Sequence, residues 1–322
     1  MRKADMHSHK MIRLLGHGLL LLLILHSGVI AAAQQADPLK QTRDLIEKKQ
    51  TKEAIVVLQA YVKEHPDSAD AHYLLGYALY QQQDPIHSLE QYTAAAQLRE
   101  PTNNDLMDVS ADYILLKAYS DAVKWLTMVT QRDPTNRLAW YYLGRALYSN
   151  TEYQRAAKAF QQVLILNPHD VSAETGLGLV YEALGDDEHA LQSYANAIEW
   201  QKSSMQQDEQ PYLRSGVLLN KRGDQQKALA LLLHAQQFGE NNPLVHEHLG
   251  RVYEELGRHR DAQTQVEHAI ALDPDAVPLH FLLGKIYREE GMSAEAKEQF
   301  SITSKLMGSK SSTETLNFNL KQ

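Results

Sequence analysis

A spacing of thirty-four residues governs this chain. Its clearest unit is residues 137–170, with Trp140, Leu143-Gly144 and Leu147, a polar break, then Ala156, Phe160, Val163 and Pro168. Leu143 and Leu147 are four apart, as are Ala156 and Phe160, so each pair lies along one face of a helix. Gly144 and Ala156 carry almost no side chain, which lets two antiparallel helices cross closely. Pro168 lacks an amide hydrogen and clashes with the preceding turn, so the second helix stops there. The product is a helical hairpin with one apolar side and nothing of its own to bury it against.

The same hairpin recurs on both sides. Steps of thirty-four from Gly144 reach Gly178 one way and Ser110 and Gly76 the other, and from Gly216 they reach Gly250 and Gly284. Twelve places after each lies a small residue: Ser88, Ala122, Ala156, Ala190, Ala228, Ala262 and Ala296. Prolines close the units at Pro66, Pro134, Pro168 and Pro274. A fixed period of this length means stacked supersecondary units that bury a continuous core between neighbours. The order Trp, Leu-Gly, Tyr, Ala, Phe, Pro in residues 137–170 resembles the tetratricopeptide repeat family. Further copies are Leu177-Gly178 with Tyr181, Leu249-Gly250 with Tyr253, and Leu283-Gly284 with Tyr287 and Phe300. The resemblance covers roughly residues 37–307.

The resemblance implies an all-α fold, a right-handed α-solenoid (superhelix) of about eight antiparallel helix-turn-helix units. In such proteins the first helix of each unit lines a concave groove, and its second, fifth, ninth and twelfth or thirteenth residues point inward. Those positions hold Tyr73, Tyr77 and Tyr80 in the second unit, Met107 in the third, and Tyr141, Arg145 and Tyr148 in the fourth. Tyrosine and arginine bury much area and still hydrogen-bond, which makes them frequent anchors of protein interfaces. They are also ordinary lining residues of the family. Later units place Glu247, Arg251, Glu254, Lys285, Arg288 and Glu289 along the first helices, a pattern expected to pair internally, as between Glu247 and Arg251. Relatives that grip a peptide's terminal carboxylate use Lys and Asn, where units four and five have Tyr141, Arg145, Thr175 and Leu179. That clamp is missing.

Residues 1–33 differ in kind. Arg2, Lys3, Lys10 and Arg13 precede an apolar run from Leu19 to Leu25, and Ala31-Ala32-Ala33 follows. Basic, apolar, then small residues is the order of a secretory signal peptide. Leu14 to Ala33 is also about long enough to span a bilayer, so cleavage and retention as an anchor both stay open. The expected setting is therefore exported, periplasmic or secreted. Removing residues 1–33 would take four of 32 basic and one of 40 acidic residues and leave a net charge of −11. An acidic body without a basic cluster does not suit nucleic-acid binding, which draws on counterion release. With no cysteine there is neither a disulfide framework nor a thiolate metal site.

The expected organisation is units one to five over 34–200, an irregular insertion at 201–209, units six to eight over 210–307, and a disordered tail at 308–322. Gly178 to Gly216 is 38 residues, four over the period, so either the preceding helix runs on by a turn or a loop bulges. In the third unit Lys117-Ala118 replaces the common Gly-Asp turn, predicting a tighter or irregular hairpin.

No catalytic constellation is present in the sequence. Gly176-x-Gly178 lies inside an expected helix and lacks a third glycine. His246 and His248 are two apart, on different sides of a helix, and cannot share a zinc. His72, His246 and His280 occupy the slot of Trp140 and read as packing residues. The expectation is a chain with no enzymatic activity, no cofactor and no metal, a scaffold or adaptor whose groove binds a peptide or helix of a partner in the envelope or secretion pathway. The alternatives are an accessory subunit of an enzyme complex and a self-assembling scaffold.

Overall fold

A computed structural model describes residues 37–202 and 207–319, with side chains to 308. The signal-like segment 1–33 lies outside the described residues. Among the described residues there are sixteen helices and no strand. The chain divides into two compact units, one ending at Trp125 and the other beginning at Leu126. The insertion at 201–209 therefore falls inside the second unit.

The first unit holds α1 (Pro38–Glu47), α2 (Thr51–Glu64), α3 (Ala69–Gln81), α4 (Pro85–Leu98), α5 (Asn103–Leu115) and the start of α6 (Tyr119–Arg132). The second continues with α7 (Arg137–Ser149), α8 (Tyr153–Leu166), α9 (Val171–Ala183), α10 (Asp187–Gln201), α11 (Gln210–Lys221), α12 (Gln225–Phe238), α13 (Pro243–Glu255), α14 (His259–Leu272), α15 (Val277–Glu289) and α16 (Ser293–Asn319). Within each unit every helix packs on its neighbours, and first helices also touch the first helix of the next repeat, as α3 touches α5 and α9 touches α11. No described helix is long and apolar enough to cross a membrane.

Caps start these helices where the sequence places short polar side chains. Asn136, Asp170, Asp186 and Asp224 each accept a hydrogen bond from the amide three residues on, and Thr102 with Asp105 completes a reciprocal capping box. The small residues meet as the period demands: Ala54, Ala122, Ala156, Ala190, Ala228 and Ala262 have no exposed surface.

Each hairpin turn uses one residue in the left-handed conformation. In the last four it is Gly185, Gly223, Gly257 or Gly291, with φ between 71° and 83°. In the first four it is Lys49, Gln83, Lys117 or Thr151, at φ 57–61°. The Lys117 turn is therefore not the tighter or irregular hairpin expected. Lys117 N–H donates to Ile114 at 3.0 Å and Ala118 N–H to Tyr113 at 2.8 Å, as Gly185 donates to Glu182 and Asp186 to Tyr181. The fold imposes its helix-ending motif on a residue that resists it.

Of the two alternatives at the insertion, the helix does not run on by a turn. α10 ends at Gln201, and the chain is non-helical again at 207–209 before α11 begins. Gln201 is buried, its amide donating to the Asp208 carbonyl at 3.0 Å while its side-chain oxygen accepts from Asp208 N–H at 2.8 Å. One side chain thus holds the far end of the loop. Ile198 packs on the cluster of Tyr212, Leu213 and Leu232, so burial continues from one side of the insertion to the other. Of the tail at 308–322, expected to be disordered, residues 308–319 are described. The backbone stays helical through Asn319, because Gly308 disfavours a helix by only about 1 kcal/mol and no proline stops elongation.

Candidate functional site

The first unit presents an open cleft of about 950 Å³ between α1, α3 and the end of α5. Tyr77 and Tyr80, one turn apart on α3, form its aromatic wall, with Ile46, Leu74 and Leu115 as apolar floor and rim. Arg43, Lys49 and Glu47 bring charge to the edge. Leu115 is 44% exposed, an apolar side chain left facing water at the rim. Both tyrosines are half-buried.

Tyr73 does not belong to this wall. It is buried, its hydroxyl donates to the Arg99 carbonyl at 2.8 Å, and the Arg99 guanidinium stands 4.3 Å over its ring. The ring also packs on Tyr92 at 6.0 Å, so Tyr73 is core between α3 and α4. Burial, then the Asp105 charge, push its hydroxyl above the ordinary tyrosine value. Met107 is half-buried on α5 and does not line the cleft.

In the second unit α7 carries Tyr141, Arg145 and Tyr148. Arg145 is exposed, with its guanidinium 5.9 Å from the Tyr141 ring centre. Tyr141 is half-buried against Phe160 at 6.0 Å, and burial raises its pKa against the lowering charge of Arg145. Tyr148 meets Tyr153 at 5.6 Å; burial raises it too, Glu182 adds to this, and Arg214 opposes. The face thus holds Tyr141 with Arg145 beside its ring and, farther along α7, Tyr148 against Tyr153.

Four of the later charged residues pair with one another. Arg251 donates to Glu247 at 3.0 and 2.8 Å, and Lys285 donates to Glu254 at 3.0 Å. This matches the expected internal pairing.

The histidines of the tryptophan slot are structural. Nε2 of His72, His246 and His280 lies 3.1, 2.7 and 2.9 Å from the carbonyls of Pro66, Glu240 and Pro274. Trp140 Nε1–H donates to Pro134 at 2.9 Å, the same bond in another residue type. The other ring nitrogen of each histidine meets Gln91, Gln265 or Gln299 at 2.8 Å. Each glutamine stands nineteen places after its histidine, and at the matching place after Trp140 stands Ala159. Replacing His280 with Phe strands the Pro274 carbonyl and the Gln299 amide, and is expected to cost about 1–3 kcal/mol in urea denaturation. No change in the midpoint would count against this bond.

Interlocking helical hairpins, with an open aromatic cleft in the first unit, define the class of a helical-repeat protein. Residues 39–101, 141–204 and 248–301 match the family model described as tetratricopeptide repeat. The chain belongs to the tetratricopeptide repeat family. It is similar to anaphase-promoting complex subunit 3 of the fission yeast Schizosaccharomyces pombe, 27% identical over 196 residues, which are 61% of this chain and 29% of that one. The chain thus spans less than a third of that relative's length. Among solved structures it resembles a tetratricopeptide repeat protein from Parabacteroides merdae, with a TM-score of 0.65 and 17% identity over 77% of this chain and 96% of that one. It also resembles a chain of an APC/C hetero-tetramer, with a TM-score of 0.59 and 14% identity over 84% and 52% of the two chains. At these identities the likenesses establish the fold. Proteins of this family are generally scaffolds for protein interaction.

Proposed function

We propose that the protein is a non-catalytic adaptor whose first unit binds a peptide or helix of a partner protein in the cleft of Tyr77 and Tyr80. The observation that carries this is the cleft itself: two tyrosines one turn apart, three aliphatic side chains and a charged edge left open to solvent. Aromatic walls with a polar rim are what a partner's apolar side chains and backbone amides need at once. The face of Tyr141, Arg145 and Tyr148 in the second unit is a further contact of the same chemistry. The basic, apolar and small order of residues 1–33 supports an exported protein, periplasmic or secreted or held at the membrane by that segment, acting in the envelope or secretion machinery.

Tyr77→Ala with Tyr80→Ala is expected to reduce capture of the partner at least roughly tenfold, the loss of two aromatic anchors, with the helical circular dichroism unchanged. The measurement is crosslinking in the native host followed by mass spectrometry, wild type beside variant. Equal recovery of the same partner from both would remove the cleft from the interaction. A second reading, an accessory subunit of a multi-protein enzyme, is favoured by the name of the yeast relative, a subunit of a complex. Co-purification with a catalytic chain whose activity rises on binding distinguishes it.

A further inference from the structure

Two places after the crossing glycine, six repeats bury an apolar side chain: Ala78, Ala146, Val180, Leu218, Val252 and Ile286. The third repeat puts Asp112 there, with no exposed surface. Its neighbour is equally exceptional. Ser88, also without exposed surface, holds the slot that is alanine in the six later hairpins. Ser88 Oγ lies 2.8 Å from the Gly76 carbonyl and 2.5 Å from Asp112 Oδ2. A serine hydroxyl has a single proton, and a carbonyl only accepts. If Ser88 donates to Gly76, the proton between Ser88 Oγ and Asp112 Oδ2 must come from the carboxyl. Asp112 Oδ1 has no hydrogen-bond partner, which a neutral acid's carbonyl oxygen tolerates far better than a buried carboxylate does.

We propose that Asp112 is a carboxylic acid in the folded protein, the first member of a relay Asp112–Ser88–Gly76 that ties α5 to α4 and α3, and that loss of its proton to solvent loosens these three helices. Ionised, the carboxylate is met by Ser88 only if Ser88 gives up its bond to Gly76, and Oδ1 then carries charge while buried and without a partner.

Among the described residues, the charges that act on Asp112 include no cation. On α5, Asp108 lies one turn before Asp112 and accepts from the Tyr92 hydroxyl of α4 at 3.2 Å. Before α4 stands Asp84, paired with His87 at 2.8 Å, and Glu90 lies further along α4. On α3 the titratable groups are Asp70, His72, Tyr73, Tyr77 and Tyr80. In the first unit's part of α6 they are Tyr119, Asp121 and Lys124, the last 4.9 Å from the Trp125 ring centre. The charges that act on Asp112 are Asp108 and Asp84, both negative. Burial above all, and then these charges, raise Asp112 to about 7, where a bond donated by Ser88 would instead lower it, and burial raises Asp108 to about 6.

The sign follows from linkage. An unfolded aspartate loses its proton near pH 4. From there up to about pH 7 the folded state binds the extra proton, so this group's contribution to stability falls as pH rises through that window and levels off above it. Because α3 carries Tyr77 and Tyr80 and α5 ends in Leu115, the loosening reaches the walls of the cleft. The proposal stands on this packing whatever the cleft binds.

The test is a carbon-13 titration of the full chain labelled at aspartate side-chain carboxyls, with Asp112 assigned as the signal displaced in Ser88→Ala. A midpoint near neutrality supports the relay, and one near pH 4 overturns it. A second arm follows denaturation midpoints from pH 5 to pH 8 for wild type and Asp112→Asn, whose amide can make the bond to Ser88 without a proton to lose. The wild type should fall relative to the variant as pH rises. Parallel curves would overturn the proposal, and should the variant fail to fold, the wild-type titration decides alone.

Discussion

Truncating Phe160 to alanine should cost about 3–5 kcal/mol, the upper range for a buried ring. Phe160 is 2% exposed on α8 and lies between two bare stretches of backbone. A methyl group added at Gly144 of α7 would come within 2.8 Å of its Cε1, and one at Gly176 of α9 within 2.7 Å of its Cζ. Neither glycine has a side chain that could move into the space the ring leaves. Tyr141, 6.0 Å away ring to ring, would lose its packing partner too. Relaxation is therefore poor and the cavity term large. The check is chemical denaturation of the variant beside wild type. A loss under about 1 kcal/mol would mean the ring is not the wedge between these repeats.

Gly178→Ala is expected to destabilise by about 1–3 kcal/mol, against the usual direction of such a change. In the middle of an exposed helix, glycine to alanine gains roughly 1 kcal/mol. At Gly178 the new carbon would stand 2.3 Å from Tyr194 Cε1 and 2.6 Å from Cδ1. Tyr194 cannot retreat, since it has no exposed surface and its hydroxyl donates to Glu182 at 2.9 Å. α9 and α10 must separate instead. A melting temperature at or above wild type would show that the crossing is looser than this contact requires.

Most of the architecture is legible in the sequence, because the period, the small crossing residues and the capping side chains all act locally and repeat. The pairs around the histidine slot are partly legible. The histidine–glutamine spacing of nineteen is present in three repeats, and alanine replaces glutamine where tryptophan fills the slot, but the bond to a proline-end carbonyl emerges only in three dimensions. Tyr73 shows why groove positions are harder. It shares its periodic place with Tyr141, and each packs at 6.0 Å on the ring nineteen places later, yet Arg99 stands over Tyr73 and its carbonyl takes the hydroxyl, which helix period alone does not show. The Lys117 turn fails in the other direction: local preference argues against the left-handed conformation, and packing of the two flanking helices overrides it. Asp112 and Ser88, twenty-four residues apart, meet only because the third hairpin stacks on the second.

The four left-handed turns without glycine make the ladder uneven along its length. Each such residue carries roughly 1–2 kcal/mol of backbone strain that a glycine there would not, and all four precede Glu152, while the strain-free turns all follow it. Thr151 is β-branched as well, the type least suited to that conformation. Rungs near the amino end thus begin closer to release, and amide exchange should reach their helix ends before it reaches the later ones. The cleft of Tyr77 and Tyr80 lies among these looser joints.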